Sequence, residues 1–383
     1  MSILSFNFLL YTICGLWRPI EWSSKWSKLL YSVFTFTTMY LIACLSLTNL
    51  LFVIFVAENI DEFSLSSPIF FSSITVIFKT IAMIIYRDQI INLIKTLEEE
   101  PCKPCNEDET AIQIKFDYTI RSYSIYYAIL CTFSVTGGLT AGVFKILKRQ
   151  FPFNIWVPWD CTSYLLFLFT SIQVIVAITV ATVINVATET TVLGFCLQVC
   201  AQFEILKHRL QRIVKDRKEE MSLKRSLYNA SHKMNTLSKH ICHHLCIIRL
   251  AERINNVYRY VIFIQFFVSI LVLCLIVYYL SSHVTVVDIA TWIGFVFSMF
   301  VQIFVYCWAG NEIILQSTGL GEAVYHVDWV LMTLSELKDL MIIMKRSTRP
   351  IKITSSFLVT LSLESYTNLL KATFSTFNLL KQL

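Results

Sequence analysis

Seven polar residues near the end of the sequence follow one another at steps of four or three: Ser356, Thr360, Glu364, Asn368, Lys371, Ser375 and Asn378. On a helix this spacing makes one continuous stripe of hydroxyls, amides and two opposite charges. Leu363, Tyr366, Leu370, Phe374 and Phe377 form an apolar line beside it. The segment Thr354–Leu380 holds no glycine or proline. We therefore expect one helix of about 40 Å, longer than a hydrocarbon core of about 30 Å. A charge at bilayer depth costs at least about 2.5 kcal/mol, so a helix facing lipid all round would not keep Glu364 and Lys371. Two arrangements fit. The stripe faces water inside an oligomeric pore, or it packs against other helices of the same chain. Glu364 and Lys371 fit either a pore lining or an ion pair two turns apart.

Thiols and imidazoles are the other reactive groups. Cys102-Lys103-Pro104-Cys105 has the two-residue gap of a redox or zinc motif but lacks a second pair at zinc spacing. Cys242, His243, His244 and Cys246 are denser. On a helix Cys242 and Cys246 share a face and His243 points elsewhere, which is poor metal geometry. The twelve cysteines are scattered, many inside apolar runs. They read as small buried hydrophobes rather than a disulfide framework. No nucleophile–base pairing or phosphate loop stands out, so an enzyme is not expected. Nothing implies a cofactor, a metal or a nucleic-acid partner.

The surrounding elements follow from composition. The chain is 56% hydrophobic and 15% charged, with a mean hydropathy of +0.62. A soluble chain of 383 residues does not read this way. It is an all-α polytopic membrane protein. Seven transmembrane helices are expected, at about Leu30–Ala57, Pro68–Tyr86, Tyr123–Phe144, Cys161–Ala187, Tyr260–Leu280, Asp288–Ala309 and the closing helix. In domain terms these give residues 1–29 as a cytoplasmic or interfacial segment rich in tryptophan, 30–188 as spans one to four, 189–259 as cytoplasmic extensions of spans four and five, and 260–309 as spans five and six. Residues 310–350 are then cytoplasmic helices including the first part of span seven, and 351–383 the closing helix.

Of the 32 lysines and arginines, thirteen fall in 189–259. With five each in 87–121 and 309–352, they place the N-terminus in the cytoplasm and the C-terminus outside. The region 189–259 has no proline, and Phe195, Val199, Phe203, Leu206, Leu210 and Ile213 recur at helical spacing. It reads as span four running on as an amphipathic helix, then a second helix, with Leu237, Ile241, Leu245 and Ile248, returning into span five. Both stripes need partners, in this chain or another. His326–Lys345 reads as a further amphipathic cytoplasmic helix, ended by Arg349-Pro350.

The residues Phe304, Tyr306, Cys307, Gly310, Asn311, Ser317, Ala323, Tyr325 and Trp329 resemble, in order and spacing, the region around span six of insect odorant receptors. So do Arg349-Pro350, Leu361-Ser362-Leu363, Tyr366, Leu370-Lys371, Phe374-Ser375 and Phe377-Asn378-Leu379-Leu380. The resemblance covers about the last 85 residues by motif and the rest by architecture. It implies a tetrameric, odorant-gated, nonselective cation channel in the plasma membrane of a sensory neuron, with a co-receptor subunit as partner. It implies that the cytoplasmic helices form a shared anchor domain. The gate would lie near the outer end of the closing helix, at Ser375, Asn378 and Leu379, with Glu364 and Lys371 deeper. The ligand would be small, volatile and mostly apolar. Its site would lie among the outer halves of spans two, three, four and six, at Phe71, Ile74, Thr75, Val135, Gly138, Tyr164, Phe167, Ser171, Trp292 and Phe295. Asp288 and His283 are the only charged or titratable groups expected there. For each aromatic the plainer reading is helix packing or an interface anchor.

A homomeric gustatory-type channel shares this architecture. A G-protein-coupled receptor shares the span count, but the orientation, the missing acidic-Arg-Tyr run after span three and the missing Asn-Pro-x-x-Tyr oppose it. A transporter would show repeat symmetry and broken helices.

Overall fold

The structure is a computed structural model that describes residues 4–19, 22, 24–159, 162–222, 230–282, 286–355 and 359–382. Ten α-helices are described in chain order. They are α1 (Ser5–Ile13), α2 (Lys25–Phe55), α3 (Ile60–Ile85), α4 (Arg87–Glu98), α5 (Glu107–Leu147), α6 (Tyr164–Ser222), α7 (Ala230–Ser282), α8 (Val286–Tyr325), α9 (Leu334–Ser347) and α10 (Leu363–Gln382). A short hairpin of β1 (Thr354–Ser355) and β2 (Val359–Thr360) precedes α10.

Among the described residues, α2, α3, α5, α6, α7 and α8 contain stretches long and apolar enough to cross a membrane. The 20 residues of α10 make a seventh helix of about 30 Å, long enough to cross. Local sequence fixes several starts. Ser24 caps α2, accepting from the Ser27 N–H at 3.1 Å. Thr333 and Glu336 close a reciprocal capping box on α9. Glu107, Asp108 and Glu109 sit in the first turn of α5, where carboxylates suit the helix dipole.

α6 and α7 run on well beyond the length needed to cross a membrane. α6 has 59 residues and α7 has 53. At 1.5 Å per residue they run about 90 and 80 Å, more than twice the hydrocarbon thickness. Their apolar stripes are buried within this chain. From Val186 to Phe203 every residue of α6 is buried. α1, α2, α5, α7 and α8 all pack against α6, so it is the axis of the fold and not an amphipathic surface helix.

Five expectations change. First, the N-terminal segment is partly built into the bundle: Leu4, Phe8, Tyr11, Cys14, Leu16 and Trp17 belong to the main core, while Trp22 and Trp26 stay exposed. Tyr11 Oη donates to Thr188 Oγ1 at 3.0 Å, tying α1 to α6. Second, the polar connection 87–121 is mostly helical. α4 buries Ile90, Leu93, Ile94 and Leu97, and α5 begins at Glu107. Third, α3 runs through Pro68 from Ile60; membrane helices tolerate an internal proline where their surroundings re-satisfy the freed backbone group. Fourth, α8 continues unbroken to Tyr325, and the following amphipathic helix starts at Leu334 rather than His326.

The fifth change concerns the closing helix, which begins at Leu363 and not at Thr354. Thr354 pairs with Thr360 and Ser355 with Val359 in antiparallel register. Leu361 N–H donates to the Ile353 carbonyl at 2.9 Å, and Thr354 N–H donates to Asn255 Oδ1 of α7 at 2.8 Å. Ile351, Ile353 and Ser355 are buried, alternating with less buried neighbours. This two-residue period of β-branched residues overrides the mere absence of glycine and proline. Ser356, His283 and Cys161 lie outside the described residues, and for Asp288 and Leu379 only the backbone is described.

Candidate functional site

On α10 the polar stripe faces away from the rest of the chain. Glu364, Asn368, Lys371, Ser375 and Asn378 are all exposed. The opposite face carries the buried Leu369 and Thr373. That face packs on α7 and α8. Tyr366 makes an edge contact with Phe304 of α8, ring centroids 5.6 Å apart. The Cys274 thiol of α7 donates to the Thr373 carbonyl at 3.9 Å. Thr360 sits in β2 and leaves the helical stripe. The remaining stripe is thus not packed against helices of the same chain. Two charges and two amides on a membrane-length helix then require water or another subunit.

Lys79 is a lone charge within the apolar run of α3. It is fully buried and pairs with Glu189 of α6. Lys79 also donates to Asn185 Oδ1, and Gln302 Nε2 of α8 donates to the same Glu189 oxygen. Three helices are therefore pinned at one carboxylate. The signal was available: a lone lysine in an apolar span demands an acidic or carbonyl partner. Glu189 was read instead as the first residue outside the membrane.

The outer candidates fall into groups. Trp292 and Phe295 of α8 are partly buried and meet edge to face, centroids 5.9 Å apart. Phe71 of α3 packs on the same core. Ile74 is half-buried and Thr75 is buried, with its hydroxyl donating to the Ser72 carbonyl at 2.7 Å. Val135 and Gly138 of α5 are half-buried. The neighbouring Ser134 faces Gly294 of α8, whose position would bring a Cβ within 3.8 Å of the Ser134 oxygen. Phe167 of α6 meets Phe151 of the loop between α5 and α6 in a tilted contact, 5.2 Å between centroids. Tyr164 is exposed beneath the Arg149 guanidinium. That loop also sends Ile155 into a small core with Leu45, Val174 and Ala177. Ser171 is buried. The hydroxyls of Ser67, Ser134 and Ser171 have no hydrogen-bond partner among the described residues.

The corner where α5, α6 and α7 meet is dense in polar contacts. Arg209 of α6 binds Glu109 of α5 through Nε at 3.1 Å and Nη2 at 2.8 Å. It also donates to the carbonyls of Pro101 at 2.7 Å and Lys103 at 2.9 Å. Its Nη1 lies 3.1 Å from His243 Nδ1. Arginine only donates, so Nδ1 accepts and the Nε2–H of His243 donates to Gln202 Oε1 at 2.9 Å. That tautomer is neutral, and burial followed by the Arg209 charge depresses His243 to about 3. Burial also lowers His240 and His244, each to about 4. Burial works against the Glu109 carboxylate, but its bond from Arg209 prevails and holds it below the ordinary value. Among the described residues no three His, Cys, Asp or Glu side chains converge as metal ligands. His243 is occupied by Arg209 and Gln202, and Cys246 by Cys102 at 3.6 Å.

This architecture has relatives. The sequence model described as 7tm Odorant receptor matches residues 59–374. Odorant receptor 13a of Drosophila melanogaster is 22% identical over 398 aligned positions, covering 96% of this chain and 92% of its own. Odorant receptor 67c of the same fly is 23% identical, over 79% of this chain and 76% of its own. Odorant receptor 10 of Aedes albopictus is 31% identical over 36% of this chain and 37% of its own. Among solved structures, the insect olfactory receptor OR5 from Machilis hrabei in complex with eugenol superposes with a TM-score of 0.84. That match has 17% identity and covers 99% of this chain and 97% of that one. It shows that the two share a fold. Together with a match across most of its length, this makes the chain a multi-pass membrane protein that belongs to the insect 7tm odorant receptor family, a family of receptors and not of enzymes.

Proposed function

We propose that this chain is the odorant-binding subunit of an odorant-gated, nonselective cation channel. It works in a heterotetramer with a co-receptor in the plasma membrane of sensory neurons. The observation that carries this reading is the exposure of Glu364, Asn368, Lys371, Ser375 and Asn378 on α10. A stripe that its own bundle leaves uncovered is stable at membrane depth only when water or another subunit meets it. Four subunits around an axis would supply both. In this reading the N-terminus is cytoplasmic, the C-terminus is extracellular, and Ser375, Asn378 and Leu379 stand near the outer gate. Residues 189–259 and 310–350 form the cytoplasmic anchor.

The ligand is a small, mostly apolar volatile held in the outer half of the bundle near Phe71, Ile74, Thr75, Val135, Gly138, Phe167, Ser171, Trp292 and Phe295. Ser67, Ser134 and Ser171 support this placement, because their unpartnered hydroxyls are the few polar handles such a pocket needs. Tyr164 would sit at its mouth. Ligand opens the pore by binding the open arrangement more tightly than the closed one.

The test is whole-cell current from cells expressing the chain with and without an insect odorant co-receptor, under a panel of volatiles and with G-protein signalling blocked. Fast cation current that needs the co-receptor and survives the block is the expected result. Current from this chain alone would indicate a homomeric gustatory-type channel, and loss of current under the block would contradict the channel reading.

A further inference from the structure

Two thiols distant in sequence meet where the 99–106 turn crosses α7. Cys102 Sγ lies 3.6 Å from Cys246 Sγ. Cys102 is fully buried, whereas Cys246 is partly exposed, so a reagent in water reaches Cys246 first. The turn that carries Cys102 is held firmly. Arg209 grips the carbonyls on both sides of it, those of Pro101 and Lys103. The Cys105 N–H donates to Glu109 Oε2 at 2.8 Å. Cys105 itself is turned toward the Lys103 carbonyl, 3.6 Å away, and the Arg209 guanidinium at 3.7 Å. Contact with Cys102 lowers the Cys246 thiol to about 7, with Arg253 and Arg249 adding to this against partial burial. The same contact, with burial, pushes Cys102 up. One sulfur thus ionises more readily than an ordinary thiol, and the other holds its proton in contact with it.

We propose that Cys102 and Cys246 form a reversible thiol–disulfide modification site on the inner face of the receptor, oxidised by a hydroperoxide. The inner placement rests on the orientation given above. The Cys246 thiolate attacks the hydroperoxide oxygen. An S–O bond forms, the O–O bond breaks, and the departing hydroxide or alkoxide takes up a proton. Cys246 is then a sulfenic acid. Cys102 loses its proton as its sulfur attacks the Cys246 sulfur. The S–S bond forms, the S–O bond breaks, and hydroxide leaves with that proton as water. Two electrons have passed from the thiol pair to the peroxide. A small thiol returns the pair to its reduced state by exchange. The sulfurs need close only from 3.6 Å to about 2.05 Å. The bond would tie the 99–106 turn, and with it the start of α5, to α7.

The test uses the full-length receptor in membranes of expressing cells. Hydrogen peroxide is added, free thiols are alkylated with N-ethylmaleimide, and peptides are mapped without reduction. A Cys102–Cys246 linked peptide is expected to appear on oxidation and vanish with dithiothreitol. In C102S, dimedone is expected to trap Cys246 as the sulfenic acid. If peroxide leaves both Cys102 and Cys246 alkylated in the unaltered receptor, or links another pair such as Cys105 and Cys242, the proposal is overturned. The readout needs neither odorant nor co-receptor, so failure of the channel reading would not imitate failure here. A membrane-impermeant maleimide applied to intact cells is expected to spare Cys246, and labelling from outside would overturn the inner placement.

Discussion

Lys79 of α3 and Glu189 of α6 form an ion pair whose side chains are 1% and 2% exposed. Gln302 of α8 donates to the same carboxylate, so the pair joins three helices of the bundle. Removing one partner leaves an uncompensated buried charge, at a cost of about 3–5 kcal/mol. Glu189→Ala and Lys79→Ala are each expected to abolish most surface expression. Lys79→Met combined with Glu189→Leu is expected to recover a substantial part of it, because a buried pair is replaceable by apolar groups of similar size. Surface biotinylation of the three variants checks this. A double variant no better than either single one would show that the network contributes more than charge balance.

The histidines of α7 make stability depend on pH. His243 is held neutral, with its value depressed to about 3. The unfolded chain takes up a proton near 6.5 and the folded one does not until about 3. The stability due to this site is therefore complete above 6.5 and is lost progressively as pH falls toward 3. His240 and His244 act in the same direction. Glu109, whose value is also lowered, adds a loss as pH falls through the carboxylate range. The Tm of the detergent-solubilised receptor should drop steadily below pH 6.5. His243→Gln, which keeps a hydrogen-bonding side chain without a titration, should make that slope shallower.

Gly310 of α8 is where the segment before α10 crosses. A Cβ there would stand 2.3 Å from the Leu361 Cβ and 2.5 Å from its carbonyl oxygen. Backbone would have to move, at a cost of about 1–3 kcal/mol. Gly310→Ala is therefore expected to shift α10 and lower evoked current several-fold more than it lowers surface expression. Gly194→Ala meets side chains and no backbone, Leu4 at 2.2 Å and Ile120 at 3.3 Å. It should lower current and expression together, if at all. Parallel current and surface measurements separate the two.

In the proposed reading, the buried hydroxyl of Ser171, without a partner among the described residues, binds the ligand. Losing one hydrogen bond to a neutral group costs about 0.5–1.5 kcal/mol. Ser171→Ala should raise the half-maximal concentration of a hydrogen-bonding volatile by about threefold to tenfold. It should leave that of a pure hydrocarbon unchanged. Dose–response curves for matched alcohol and alkane ligands test this.

The fold was legible wherever periodicity was sustained. Apolar runs located the membrane helices, and the stripe Phe195, Val199, Phe203, Leu206, Leu210 placed the extension of α6. What periodicity could not show was company. The same stripe fits a surface helix and a helix buried on every side, and only contacts with α1, α5, α7 and α8 distinguish them. The hairpin at Thr354–Thr360 was missed because hydroxyl residues at steps of four mimic a helical stripe, while the alternation of Ile351 and Ile353 is only two residues deep. Lys79–Glu189, Arg209–Glu109 and Cys102–Cys246 are separated by about 100 residues or more, and no local pattern announces such pairs. Of the α10 residues named from sequence, Glu364, Lys371, Ser375 and Asn378 lie together on one exposed face.

The central claim is that this face meets water in a conducting pore. The direct measurement is cysteine substitution along α10 in the receptor expressed with its co-receptor, with a charged methanethiosulfonate reagent applied during odorant-evoked current. Cysteines at Glu364, Asn368, Lys371, Ser375 and Asn378 should react and change the current within seconds, and those at Leu369 and Thr373 should not. Silence along the whole stripe, or reaction equally strong at Leu369 and Thr373, would contradict the account.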